Sequence, residues 1–369
     1  MRYRAALYCC LVAALLGALA AACSGRSAKQ NAPPPALPHT SPLLAVVEEH
    51  GNRADLVLKA PSDPALQWKF ASVPHRQGWG LAHTSVSPDG TKLAYAVLPP
   101  SGQNPDTDAE VWEITFPGLK ARRLATNADL ESDLVWSPDS AWVSYERVLG
   151  QTIQVRRANA SGDGDQQLAQ SGLQDRWFLM GYEPDGDVAV LAHLTPQDAT
   201  EIVREKPGGA PDDAAPVSAL PSRSFTVLPD GRPALLALQD EKGTRVYRAV
   251  VQEQDGSVRR LVDGDAEDTG AVQGRTGPIY VGVVPGSGTT PQPAEPNVHV
   301  LLPPSGFDVP VATAPDGTFV AVRHFTGSST DQPGTESILI EGADGARIPV
   351  GGDGPLDVAG WAVPFARGK

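Results

Sequence analysis

From about residue 43 onward the apolar positions come in short bursts, fenced by Gly, Pro, Asp and Asn. Five bursts stand out, at residues 93–98, 143–148, 188–194, 234–238 and 319–325. Each is rich in β-branched and aromatic residues and apolar at successive positions. That is the pattern of a strand buried on both faces, inside a stack of sheets. Gly (37) and Pro (35) are each near a tenth of the 369 residues, which disfavours long helices and favours many short strands joined by turns.

The bursts follow a marker. Ser87-Pro88-Asp89-Gly90-Thr91-Lys92-Leu93-Ala94-Tyr95 recurs as Ser137-Pro138-Asp139-Ser140-Ala141-Trp142-Val143-Ser144-Tyr145. Shorter copies stand at Pro184-Asp185-Gly186, Pro229-Asp230-Gly231 and Pro315-Asp316-Gly317. The gaps between marker prolines are 50, 46, 45 and 86 residues, the last being two periods with a degenerate copy near Pro278. Chemically the marker is a turn: Pro sets φ, Asp caps locally and Gly accepts positive φ.

Each unit continues alike, with third strands expected at 110–116, 152–158, 200–206, 244–252, 297–302 and 336–341. Fourth strands are expected at 121–125, 257–262 and 346–350, after Gly-containing turns. Four short strands per ~45 residues is the spacing of a β-propeller blade. Residues 43–72 hold three strand-like runs without a first strand, and 356–363 supply a first strand with nothing after it. The two ends therefore complete one blade, giving an all-β ring of seven. Six is the alternative, because only 12 residues separate Leu302 from Pro315, a tight fit for two strands.

The repeat resembles the propeller repeats of the TolB family, whose blades carry a Trp-Ser-Pro-Asp-Gly-like marker. Trp136-Ser137-Pro138-Asp139 is the nearest copy. The resemblance covers about residues 43–369 and implies a fold more than a function, since the same repeat serves binding scaffolds and accompanies peptidase domains. TolB carries an α/β domain before its propeller; here a short tether is expected instead, so a Tol–Pal role does not transfer.

Ahead of the repeats, Arg2 and Arg4 precede an apolar run over residues 5–22 and then Leu19-Ala20-Ala21-Ala22-Cys23. This is the three-part layout of an export signal. The small residues before Cys23 resemble a bacterial lipobox, although Leu19 lies four places before the cysteine rather than three. The expectation is a signal at 1–22, a lipidated Cys23, a Pro-rich tether to residue 42 and a propeller over 43–369. An uncleaved anchor or ordinary secretion is the competing reading. Cys9 and Cys10 would leave with the signal, so the exported chain would hold no disulfide. Ser24 after the cysteine resembles sorting to the outer membrane, in a Gram-negative cell.

Charge narrows the partners. Asp+Glu (43) exceed Lys+Arg (30), a net charge of −13, which argues against nucleic acid. No Gly-x-Ser-x-Gly elbow, His-Glu-x-x-His or Cys-x-x-Cys occurs, and the repeats leave no room for a hydrolase domain. His193 and His324 share one repeat offset on blades that are not neighbours, which makes a shared metal improbable. His75 and His83 flank Gly78-Trp79-Gly80; a loop with Trp and two His could face a ligand, but a solvated loop is the favoured reading. Asp163-Gly164-Asp165 and the acidic run 263–268 read as turns rather than calcium loops. No cofactor and no metal are expected.

The leading functional expectation is a monomeric scaffold, anchored in the membrane through lipid on Cys23. It would bind a protein or cell-envelope component on one propeller face. The loops at 99–107, 285–296 and 326–335 are the expected partner surface. The alternative is a propeller enzyme whose site, at the axial mouth, gathers His and carboxylates from several blades.

Overall fold

The computed structural model describes residues 42–364, apart from 117, 173–175, 198, 207–214, 242 and 287. Cys23, the signal and most of the tether lie outside the described residues. Seven blades form a β-propeller, with one very short helix at Pro105–Asp108.

Blade 1 comes from both ends of the repeat region, in the order Leu356–Ala362, Leu43–Glu49, Arg53–Ala60, Asp63–Pro74. Leu44 faces Trp361 and Glu48 faces Leu356 across the closing antiparallel pair. The seam is dry: Leu43, Leu44, Ala45 and Val46 are fully buried. Lys59, also fully buried, is held by Glu48 at 2.9 Å, so its charge, taken out of water, is matched. The Trp361 indole N–H donates to the Ala312 carbonyl of the preceding blade at 3.1 Å, and Trp136 donates to Ser85 in the same sense at 3.0 Å. The two tryptophans matched in sequence thus stitch neighbouring blades alike.

Blade 2 runs Leu81–Val86, Lys92–Val97, Ala109–Thr115, Lys120–Ala128. Blade 4 runs Arg176–Tyr182, Ala189–Leu194, Thr200–Glu205, Ala215–Ser218. Blade 5 runs Ser222–Val227, Pro233–Glu241, Thr244–Gln252, Val258–Arg260, and blade 7 Phe307–Thr313, Phe319–Phe325, Glu336–Gly342, Arg347–Pro349. The cores lie between blades, which explains the doubly apolar second strands. Leu93, Tyr95 and Val97 pack toward blade 1, whereas Ala94 and Ala96 pack toward blade 3.

Two blades depart from the repeat. Blade 3 has three ladder strands, Trp142–Leu149, Thr152–Asn159 and Asp165–Gly172, and its innermost run makes only the bridge Trp136↔Val143. A side chain intrudes there: the Val135 N–H donates to Ser144 Oγ at 2.9 Å in place of a ladder carbonyl. Blade 6 consists of Glu267–Gln273, Ile279–Val284 and Val298–Leu301, and the third strand pairs parallel with the second. The antiparallel third strand expected at 297–302 is therefore corrected. Between the second and third strands Gln292–Pro293 pairs with Val262–Asp263, before the third strand is laid down. A parallel pair needs such a crossover, and it uses the chain that a fourth strand would have needed. The compression that raised a six-blade alternative is relieved because no fourth strand of blade 6 follows Leu301, so residues 303–314 supply only the first strand of blade 7, Phe307–Thr313.

The markers are the turns between first and second strands. In four of them Gly90, Gly186, Gly231 and Gly317 take positive φ (71°, 78°, 87° and 74°). Each glycine N–H closes the turn onto the carbonyl three residues back, at 2.8 Å. The marker aspartate accepts from the N–H two residues on, at 3.0 Å for Asp89, Asp139 and Asp185 and 3.1 Å for Asp230 and Asp316. Ser140 replaces glycine in the remaining turn and still adopts φ 60°. Its hydroxyl accepts from the Asp89 N–H at 3.1 Å, and its carbonyl from Lys92 Nζ at 2.6 Å, so the exception ties blade 3 to blade 2.

Candidate functional site

The innermost strands of all seven blades wall an axial channel of about 1020 Å³. Its middle is small and apolar, with Val86, Val135, Gly181, Val227, Val272 and Ala359 on the wall. One end is ringed by the marker prolines Pro88, Pro138, Pro184, Pro229 and Pro315. The other end opens into a cavity of about 560 Å³ walled by four successive blades, 2 to 5. His83, Asp133, Phe178, Arg223, Ser224 and Phe225 line this mouth.

Backbone irregularity aims these side chains. The register of blade 2 skips between Ala82 and Ser85, and that of blade 5 between Arg223 and Thr226. His83 (φ 47°) and Ser224 (φ 56°) stand at the skips in the left-handed region. A non-glycine residue there costs about 1–3 kcal/mol and persists only where its surroundings fix it. Bulges of this kind turn a side chain out of the sheet's alternation. Blades 4, 6 and 7 carry register shifts at Leu179/Gly181, Asp268/Gly270 and Pro310/Ala312, so the bulge belongs to the innermost strand as such.

Charge at the mouth is divided. On the side of blades 2 and 3, His83 Nδ1 meets Asp133 Oδ1 at 2.8 Å and His83 Nε2 lies 3.8 Å from Glu131. The Asp133 carboxylate, accepting from the ring, lifts the imidazole above its usual range. Beneath them Glu146, 9% exposed, is pushed up to about 7 by burial, with Asp133 and Asp129 adding to it against the pull of Arg176 and His83. On the other side are two guanidinium groups. Arg176 lies over the Phe178 ring at 4.8 Å and Arg223 over Tyr247 at 3.7 Å. Phe178 and Phe225 stack at 5.8 Å between them.

His83 is thus a strand residue at the channel mouth, which corrects the solvated-loop reading. His75 is buried, with Nε2 3.0 Å from Glu49, and is part of the scaffold. His193 meets Glu201 at 3.0 Å and stacks on Trp177, while His324 meets Asp308 at 2.8 Å. The equal offsets place each histidine beside its own carboxylate. Asp165 accepts from Tyr145 and Arg156, and Asp268 is fully buried and accepts from the Ala249 N–H at 2.7 Å. Among the described residues no group of three or more His, Cys, Asp and Glu is arranged to hold a metal. Of the expected partner loops, 99–107 packs on the chain leading to Asp133, where the Leu130 N–H donates to the Pro105 carbonyl at 2.9 Å, and none of its residues lines the cavity.

Sequence reasoning passed over Asp133, Phe178, Arg223, Ser224 and Phe225. A signal existed. The residue five places before the marker proline is His83, Asp133, Leu179 and Ser224 in blades 2 to 5, and all four line the mouth.

Fold and site together define a seven-bladed propeller with one polar, aromatic axial mouth. No protein-family model matches the chain, and neither does any curated protein sequence. Among solved structures it is similar to TolB from Acinetobacter baumannii, at TM-score 0.53 and 14% identity over 88% of this chain and 67% of that one. A prolyl endopeptidase structure matches at TM-score 0.54 and 14% identity, over 86% of this chain and 50% of that one. The chain thus spans half the length of the peptidase. At such identity the likeness is one of fold: a TolB-like propeller.

Proposed function

We propose that this protein is a binding scaffold of the cell envelope, held at a membrane by lipid on Cys23, that receives a protein or envelope component at the axial mouth. The observation that carries the reading is the mouth itself. The innermost strands of blades 2 to 5 place His83, Asp133, Phe178, Arg223 and Phe225 around one cavity of about 560 Å³, with His83 and Ser224 held in left-handed backbone. Concave sites with an apolar floor and a few fixed polar groups are where ligands bind. The fold likeness to TolB supports a scaffold, and the TolB-like marker with the Cys23 export signal supports the envelope address.

The alternative, catalysis at the mouth, has the His83–Asp133 pair in its favour. The environment of His83 weighs against it as a base. Its Nδ1 is taken up by Asp133 at 2.8 Å and its Nε2 lies 3.8 Å from Glu131, so both ring nitrogens face carboxylates, and a general base needs a free lone pair.

The test is capture from solubilised envelope with the wild type, with Phe178→Ala/Phe225→Ala, and with Asp230→Ala on the marker face. Partners retained by the wild type and Asp230→Ala but lost from the mouth variant support the reading. Equal retention by all three overturns it. Cys23→Ala should release the protein from membranes washed with high salt and alkali; a variant that stays bound excludes Cys23 as the anchor.

A further inference from the structure

We infer that the blade 4 and 5 side of the mouth is a seat for an organic carboxylate with an apolar substituent beside it. A free apolar acid and the last residue of a polypeptide both present that pair of groups. The inference rests on the mouth being the binding site and adds the chemistry of its occupant.

Three ionisable residues line the cavity: His83, Asp133 and Arg223. The first two are engaged with each other at 2.8 Å. Arg223 is exposed and makes no ion pair or hydrogen bond with any described residue. Its guanidinium is nonetheless placed, 3.7 Å from the centre of the Tyr247 ring. An arginine laid on an aromatic face keeps its fork of N–H donors available to a ligand. The backbone is committed to this position as well, since the register of blade 5 skips directly after Arg223 and Ser224 takes the left-handed conformation.

An exposed arginine on a ring is ordinary by itself. The hydroxyl next to it is not. Ser222 is only 6% exposed and lines the cavity, and its buried Oγ has no hydrogen-bond partner among the described residues. Thr84 Oγ1, on blade 2, lines the same cavity and is buried and unpartnered in the same way. Buried hydroxyls in folded proteins nearly always have a partner. A guanidinium can only donate and a hydroxyl can donate, so one group that satisfies them together is an acceptor carrying negative charge.

The lining also narrows which anion. With one uncommitted cation, and with Asp133 on the same wall, the cavity suits a single negative charge rather than two. A planar carboxylate matches the guanidinium fork with two parallel hydrogen bonds. Beside the polar pair the wall is apolar. Phe225 stands two residues on from Arg223 and stacks on Phe178 at 5.8 Å, with Leu179 and Leu194 completing the surface. An apolar or aromatic substituent next to the carboxylate is buried there, and a simple inorganic anion has none to bury.

Calorimetric titration of the full-length protein in detergent at pH 7 tests this. N-acetylphenylalanine should bind. Its amide, which lacks the charge, and N-acetylglycine, which lacks the apolar group, should each bind about tenfold more weakly. Inorganic phosphate should not displace it. Arg223→Gln should lower the affinity about tenfold, and Ser222→Ala several-fold. Ser222→Ala should leave the melting temperature unchanged or raised, because it removes a buried hydroxyl that has no partner to lose. A serine with only a structural role would lower the melting temperature and spare the affinity. Arg275→Gln removes an exposed arginine at the marker end and should leave binding as it is. Circular dichroism checks that each variant is folded. Amide binding as tightly as acid, displacement by phosphate, equal loss from Arg275→Gln, or no binding of either phenylalanine acid at millimolar concentration overturns the inference. The peptide acetyl-Ala-Ala-Ala-Phe, the second such acid, separates the two sources: tighter binding than N-acetylphenylalanine assigns the seat to a chain terminus, and equal or weaker binding to a free acid. Loss of envelope partners from Phe178→Ala/Phe225→Ala with no carboxylate binding would leave the mouth as the binding site and remove only this account of its occupant.

Discussion

The two ends of the axial channel are built by opposite means. At the marker end one turn recurs: a proline, an aspartate capping the N–H two residues on, and a left-handed residue. At the mouth the equivalent positions hold four different residues, His83, Asp133, Leu179 and Ser224, and two of them sit in strained backbone. The repeated end solves a problem every blade shares, reversal of the chain beside its neighbour. The unrepeated end carries no such shared turn, and under the proposed function its differences from blade to blade are what a ligand would meet. Repetition here marks scaffold, and its loss marks the candidate site.

Damage to the scaffold should therefore cost stability. The largest effect is expected from removing residues 356–369, which takes away Trp361 and the inner strand of blade 1. Losing that burial is worth several kcal/mol at ~25 cal/mol per Å² of apolar area, comparable with a typical domain's ~5–15 kcal/mol. The truncated chain should be insoluble, or melt many degrees lower in calorimetry. Next comes Gly90→Ala. Its Cβ would lie 2.7 Å from Val363 Cγ2, at a φ of +71°. The Val363 N–H donates to the Gly90 carbonyl at 2.7 Å, so the added methyl strikes the closing segment. A loss of about 2 kcal/mol in urea unfolding is expected.

At the mouth the sign reverses. The Glu146 carboxyl rises from its usual 4.5 to about 7, so the folded state holds this proton more tightly than the unfolded chain does. Its ionisation lowers stability progressively as pH climbs from about 4.5 through 7. Glu146→Gln, which has no proton to lose, should match the wild type near pH 4 and exceed it at pH 8 by up to about 3 kcal/mol. A variant less stable than the wild type at pH 8 would show that Glu146 is a scaffold residue after all. A smaller effect is expected of Asp133→Asn, which removes the partner that raises His83. The imidazole titration followed by NMR should move to lower pH, with little change in melting temperature. Excising residues 326–335 should matter least, below about 1 kcal/mol, because loop length enters closure entropy only logarithmically. The cost beyond that is the Thr330–Glu267 hydrogen bond.

The same contrast explains what the sequence made legible. Turn chemistry is local, so Pro88-Asp89-Gly90 and its copies announced blade number and phase, and Trp361 matched to Trp136 announced the closure. The parallel strand of blade 6 was not legible, since Val298–Leu301 carries the same apolar text whichever way its neighbour runs. The mouth was half legible. His83 drew notice through Trp79 and His75, but its partner Asp133 is 50 residues away and reaches it only through the ring. Counting backwards from the marker proline, rather than forwards along the apolar strand, aligns His83 with Asp133 and Ser224.

The claim that the mouth, and not the marker face, receives the partner is tested most directly by photo-crosslinking in the envelope. Benzoylphenylalanine in place of Ser224 sits on the mouth, and in place of Asp230 on the marker turn of the same blade, both exposed. The account predicts a discrete crosslinked adduct from position 224 and none from 230. An adduct from 230 alone, or the same adduct from both, would contradict it.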